Sequence, residues 1–151
     1  MIRKAETKDY PAAAALAAKM WEHDPEELIA EWGESSAAGE GAVFVAEEEG
    51  KIIGFAQCGL RHDYVEGTET SPVGYLEGVY VDEACRRRGY AAQLLSACEN
   101  WAKEKGCREF ASDCELTNTG SLKFHLSLGF TEANWIICFT KKLETGSRTE
   151  K

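Results

Sequence analysis

Between Leu76 and Ala91 the chain reads LEGVYVDEACRRRGYA. An apolar strand, Tyr75–Val81, ends in Asp82 and Glu83, and three arginines follow before Gly89-Tyr90-Ala91 opens a helix. The chemistry this suits is anion holding. The first N–H groups of a helix have no partner inside it, the helix dipole favours negative charge there, and glycine lets a ligand come close. The spacing Arg86-x-x-Gly89-x-Ala91 sits between a strand and a helix, where such a loop must sit to work. No Gly-Lys-Ser/Thr follows it and no G-x-G-x-x-G is present, so the ligand is read as phosphate-bearing but not held by those nucleotide motifs.

Two carboxylates stand where carboxylates need a reason. Glu77 lies inside the apolar run Val73–Val81, and Asp113 closes a second predicted strand, Arg108–Asp113. The functional reading makes them acid/base or cation-binding groups. The plainer readings are a surface ion pair for Glu77 and a turn cap for Asp113. Gly78, in mid-strand, either marks a bulge that frees a backbone N–H near Val79, able to stabilise an oxyanion, or makes room for packing. Trp21 is either core or, with Glu22, His23 and Asp24 beside it, a lip that stacks a sugar ring.

These groups need a scaffold. The chain has 151 residues, enough for one domain with a sizeable core. Ile2–Ala5 is a strand, and Asp9 caps a helix through Ala12–Met20. Pro25 starts a second helix, Glu26–Ala38, which Gly39 closes. Ala42–Glu47 and Ile52–Leu60 form a hairpin around Glu49-Gly50-Lys51. Arg61–Pro72 is a polar loop of a length that suggests function, and Val73–Val81 is a strand. Apolar residues at 91, 94, 95, 98, 101 and 102 give a helix over four turns that Gly106 stops. Thr117–Leu128 is a helix and Trp135–Leu143 a last strand. The order β-α-α-β-β-β-α-β-α-β predicts an α/β (mixed α+β) fold, a mixed sheet with helices on both faces. The domain is expected to span residues 1–143, with a polar, frayed tail from Glu144.

The net charge of −9 argues against a nucleic acid or an anionic membrane as partner and is compatible with a cationic ligand. The six cysteines fit no zinc pattern and are expected to be reduced and mostly buried; His23, His62 and His125 are dispersed, so no metal site is expected. The charged N-terminus lacks an apolar signal stretch and no apolar run is of membrane-spanning length, which gives a cytoplasmic expectation.

The strand, the Arg-x-x-Gly-x-Ala loop, the helix, Asn118 and Leu128-Gly129-Phe130 together resemble the GNAT N-acetyltransferases over nearly the whole chain. A narrower likeness, to the aminoglycoside 6′-N-acetyltransferases, rests on several blocks in the right order. These are Arg61-His62-Asp63-Tyr64-Val65, Ser71-Pro72-Val73, Leu76-Glu77-Gly78, Glu109–Asp113 and His125–Phe130. The resemblance implies acetyl-CoA as co-substrate, with Val79, Tyr80 and Val81 along its arm, Arg86, Arg87, Arg88, Gly89, Tyr90 and Ala91 at its pyrophosphate, and Asn118 and His125 further on. His125 stands where many members have a tyrosine and is either a proton donor to the leaving thiolate or a packed helix histidine. Trp21, Asp24, Tyr64, Glu77 and Asp113 are implied substrate contacts, with Asp113 the usual candidate base and Glu77 beside it. Asp24 aligns where relatives carry a histidine, and Asn134 where an acid is expected. The implied reaction is acetyl transfer to the 6′-amino group of an aminoglycoside by direct attack in a ternary complex, conferring resistance, in a homodimer. Acetylation of another amine, such as a polyamine or a protein N-terminus, and a non-catalytic acyl-CoA sensor remain the alternatives.

Overall fold

The computed structural model describes residues 1–144. The expected polar tail therefore lies, beyond Glu144, outside the described residues. Five strands form one sheet in the order β1-β2-β3-β4-β5: Ile2–Lys4, Gly41–Glu48, Lys51–Arg61, Val73–Val81 and Phe110–Ala111. The first four pair antiparallel and β5 joins β4 in parallel, so the sheet is mixed as expected. A parallel neighbour requires a crossover, and the helix between β4 and β5 supplies it.

Helices cover both faces. On one side α1 (Tyr10–Ala17) and α2 (Pro25–Ala37) pack Leu16, Leu28 and Trp32 against Val43, Val45 and Phe55. On the other, α3 (Tyr90–Glu104) presents Leu94, Leu95, Cys98 and Trp101 to Ala56, Cys58, Leu76 and Val81. These α3 residues come from the apolar stripe seen in the sequence, and burying them is what holds the helix on the sheet. Near them, α4 (Thr119–Ser127) packs Phe124 against the same layer.

Three local expectations change. Asp9 stands at the start of α1 but does not cap it with its side chain. Its buried carboxylate instead accepts from the Glu6 N–H at 2.8 Å and pairs with Arg3 at 2.6 Å, tying β1 to the turn before α1. The helix itself stops at Ala17, three residues short of the expected end at Met20. The largest change is the last strand. Trp135–Leu143 has no regular secondary structure, and Trp135, Ile136, Ile137 and Phe139 are exposed, Phe139 to 87%. Next to β4, β5 is itself short, pairing through only two residues. Cys58, Cys85, Cys98 and Cys107 are buried free thiols, whereas Cys114 and Cys138 are exposed.

Candidate active site

The site begins with a bulge. Gln57 of β3 is opposite Gly78, yet its neighbour Cys58 is opposite Leu76, so Glu77 is an extra residue in β4. Strand side chains alternate between faces, and the bulge resets that alternation. Leu76 stays in the α3-side core, while Glu77 and Gly78 both belong to the α1/α2 side. In an unbulged strand with Gly78 in place, Glu77 would point into the α3-side core. The glycine has its own reason. A Cβ on Gly78 would lie 2.3 Å and 2.4 Å from ring carbons of Trp21. Both sequence readings of Gly78 therefore meet here: there is a bulge, centred on the preceding residue, and there is room made for packing, by an indole.

Beyond Tyr75 the β4–β5 ladder ends, with only the Ser112 hydroxyl reaching across to the Leu76 carbonyl at 3.2 Å. The split between the strands opens into a cleft of about 820 Å³. Val79, Tyr80 and Val81 form one wall, Ser112, Asp113 and Cys114 the opposite one, and Asn118 and His125 of α4 line it as well. At the far end lies the loop read from the sequence. Gly89 takes the left-handed conformation, φ +84°, that starts α3 at the cleft. Arg87 is also left-handed, φ +67°, which a non-glycine residue holds only where its surroundings impose it. Arg86, Arg87, Gly89, Tyr90 and Ala91 line the cleft. Arg86 is braced by donating its Nε–H to the Val81 carbonyl at 2.9 Å and by lying 5.1 Å over the Tyr80 ring. The Arg87 side chain has no polar partner among the described residues. Arg88 differs: its guanidinium turns to Glu48 at 3.1 Å and does not line the cleft.

An anion with an extended tail fits this shape. The N–H groups of the first turn of α3, the unpartnered Arg87 and the open edge of β4 all border the same cleft.

On the α4 side, Asn118 caps its helix by accepting the Ser121 N–H at 3.0 Å. The His125 ring is engaged at both nitrogens. Nδ1–H donates to the Ser121 carbonyl at 2.7 Å, and Nε2 lies 2.8 Å from Ser112 Oγ. A carbonyl only accepts, so Nδ1 carries a proton; the Ser112 hydroxyl lies between Nε2 and the Leu76 carbonyl, 3.2 Å away. The ring also packs edge-on to Phe130 at 5.0 Å. His125 thus packs against Phe130, as the plainer reading has it, and also lines the cleft.

The carboxylates gather at the Tyr75 end. Arg61 Nη2 reaches both Glu77 oxygens, at 3.0 Å and 2.8 Å, and its Nε lies 3.3 Å from the second. The same guanidinium lies 3.8 Å over the Tyr75 ring. The Tyr75 hydroxyl donates to Asp113. Burial, then the Asp113 carboxylate, pushes the Tyr75 hydroxyl well above the ordinary phenol range, so it stays a donor. Burial works against the Arg61 charge, and Glu77 more than offsets that. A second, smaller cleft of about 280 Å³ joins Glu77 to Trp21, His23 and Glu31. Trp21 borders both clefts.

Not every expected residue is here. Asp24 lines neither cleft; its carboxylate accepts the Glu26 N–H at 3.3 Å and caps α2, leaving His23 as the cleft residue. Tyr64 stands exposed on the loop before β4 and lines neither cleft. Asn134 donates to Glu66 at 3.2 Å, holding that loop. In the sequence Arg61 stands out only as part of a block, because no local signal announces a partner sixteen positions away.

Residues 1–130 match the acetyltransferase (GNAT) family. The aminoglycoside N(6′)-acetyltransferase type 1 of Stenotrophomonas maltophilia is 41% identical over 144 residues, covering 95% of this chain and 94% of that protein. Among solved structures, the aminoglycoside 6′-N-acetyltransferase AAC(6′)-Ig of Acinetobacter haemolyticus superposes with a TM-score of 0.89 at 37% identity, over 95% of this chain and 99% of that one. AAC(6′)-Iy, solved with the bisubstrate analogue CoA-S-monomethyl-acetylneamine, superposes with a TM-score of 0.88 at 39% identity, over 95% and 98%. With this match over residues 1–130 and these relatives along nearly its whole length, the chain belongs to the GNAT acetyltransferase family.

Proposed function

We propose that the protein transfers the acetyl group of acetyl-CoA to the 6′-amino group of an aminoglycoside, and so confers resistance to it. One observation carries this reading: a single strand, β4, brings an acidic pocket and an anion-binding loop to the same cleft. The relative solved with a CoA–acetylneamine analogue has the matching pair of ligands in one molecule.

Acetyl-CoA supplies an acyl group activated as a thioester. In this reading Arg86, Arg87 and the first turn of α3 hold the pyrophosphate, with Arg88 stiffening the loop through Glu48. The backbone of Val79–Val81 carries the arm, Asn118 and His125 border it, and an N–H beside the bulge at Glu77 faces the thioester oxygen. Trp21, which borders both clefts, stacks against the sugar, and Glu77 and Asp113 bind its ammonium groups. The acceptor amine attacks directly in the ternary complex, its proton going to Asp113 or to water held there. Holding both reactants in one cleft removes the entropy of their encounter. The reading also includes a homodimer, supported by the exposed apolar run Trp135–Phe139, and a cytoplasmic location, supported by the absence, among the described residues, of a helix long and apolar enough to cross a membrane.

The test is an acceptor profile with acetyl-CoA and a thiol reagent, using kanamycin-type compounds with and without a 6′-amino group, polyamines and N-terminal peptides. Turnover confined to 6′-amino aminoglycosides is the expected result. CoA release only with polyamines or peptides, or with no acceptor at all, would overturn the assignment.

A further inference from the structure

An acceptor bound between carboxylates poses a problem. Negative groups beside an ammonium stabilise it as the cation, yet only the neutral amine attacks a thioester. The small cleft would bring Glu77 and Glu31 to such an acceptor, and Asp113 lies close by, across Tyr75. Arg61 stands among them.

We propose that Arg61 is a positioning residue for the acceptor amine: by holding and neutralising Glu77 it eases the loss of a proton from the bound ammonium. The inference rests on the acetyltransferase reading above.

The geometry argues for it in three ways. The guanidinium contacts both oxygens of Glu77, the two-point pairing that fixes a carboxylate in place as well as in charge. It also rests 3.8 Å over the Tyr75 ring, a second contact that restrains the guanidinium besides Glu77. That same ring ends in the hydroxyl that donates to Asp113. One cation therefore cancels the first carboxylate and, through the tyrosine, lies over the support of the second, leaving Asp113 as the net negative group best placed to take the proton.

The charged and titratable groups facing this point are few. From β4 come Glu77 and Tyr75, from the segment after β5 Asp113, from α2 Glu31, from the segment before it His23, and from beside the end of β3 the pair His62–Glu40 at 2.7 Å. Arg61 is the permanently charged cation in this set.

The test is the pH dependence of kcat and KM for a 6′-amino aminoglycoside, measured for the wild type, Arg61→Gln and Arg61→Lys. Loss of the charge in Arg61→Gln should raise the acid limb of kcat by about one pH unit, lowering kcat about tenfold below that limb, while KM stays level or falls. Arg61→Lys should keep the limb near the wild-type position. An Arg61→Gln limb at the wild-type position, or an equal shift in Arg61→Lys, overturns the inference while the acetyltransferase reading stands. A wild type inactive on every 6′-amino acceptor overturns that reading and the inference with it. If Arg61→Gln does not fold, Glu77→Gln decides: it leaves Arg61 uncompensated and should lower the acid limb, and a limb unmoved or raised refutes the idea.

Discussion

Replacing Gly78 by alanine tests how tightly the acceptor side is built. The new Cβ would sit 2.3 Å and 2.4 Å from the Trp21 ring and 2.9 Å from the Met20 methyl. Carbon atoms rest near 3.5–4 Å apart, so the indole must retreat by roughly 1.2 Å. It cannot retreat toward the core. Phe55, fully buried, stands edge-on at 6.1 Å between centroids, with Trp32 behind it at 5.8 Å. The ring must move outward into the small cleft and give up part of its contact with Phe55. Overpacking of this size costs about 2 kcal/mol, or roughly 6 °C in Tm for a chain of this length. An error near 1 Å in a positioning group costs up to about a hundredfold in rate. We expect kcat/KM for the aminoglycoside to fall between tenfold and a hundredfold, with KM raised. Acetyl-CoA affinity, measured by calorimetry without acceptor, should be unchanged, because Arg86–Ala91 do not touch the ring. In a Trp21→Ala background, which itself gives up the contact with Phe55, Gly78→Ala should cost far less Tm than in the wild type, with the acceptor KM still raised. A Gly78→Ala protein with wild-type Tm and wild-type KM would refute the reasoning.

Three further outcomes follow from the geometry. Tyr75→Phe keeps the ring under Arg61 but removes the donor to Asp113; kcat should drop roughly tenfold with Tm within a few degrees of wild type, by steady-state kinetics and thermal unfolding. Arg87→Ala should weaken acetyl-CoA binding by about tenfold and make it less salt-dependent, whereas Arg88→Ala should weaken it less, since Arg88 is engaged with Glu48; titration at two ionic strengths separates them. Asp9, held down to about 2 from 3.8 chiefly by Arg3, contributes about 2 kcal/mol that is fully present above pH 4 and lost as the pH falls through 2. In urea unfolding, Asp9→Asn should therefore be less stable than wild type at pH 7, with the gap closing toward pH 2.

The parts legible in the sequence are those whose signal is local. The strand Val73–Val81 has the predicted ends, because Pro72 bounds an apolar run on one side and Asp82 on the other. The hairpin around Glu49-Gly50 and the helix α3 follow from turn chemistry and from period. The loop of arginines lines the cleft as its setting between strand and helix demands, although Arg88 faces away. What escaped depends on partners distant in the chain. Trp135–Phe139 carries an apolar signal, but such a signal says only that a surface seeks cover, not what covers it. The pairing of Arg61 with Glu77 exists because two strands meet in a register offset by one residue; Gly78 hints at a bulge, but nothing near either residue says which side chains the offset brings together. Asp24 is a substrate contact only by resemblance, and the start of α2 takes its carboxylate as a cap.

The bulge has a consequence for how this site can vary. Glu77 is supernumerary to the sheet: with it removed, Leu76 and Gly78 would follow one another in ordinary alternation and the ladder would close. The scaffold makes no demand on that position. A residue that the architecture carries without needing it can be exchanged while the fold stays as it is, and the preference for one cationic drug over another can drift there without renegotiating the core.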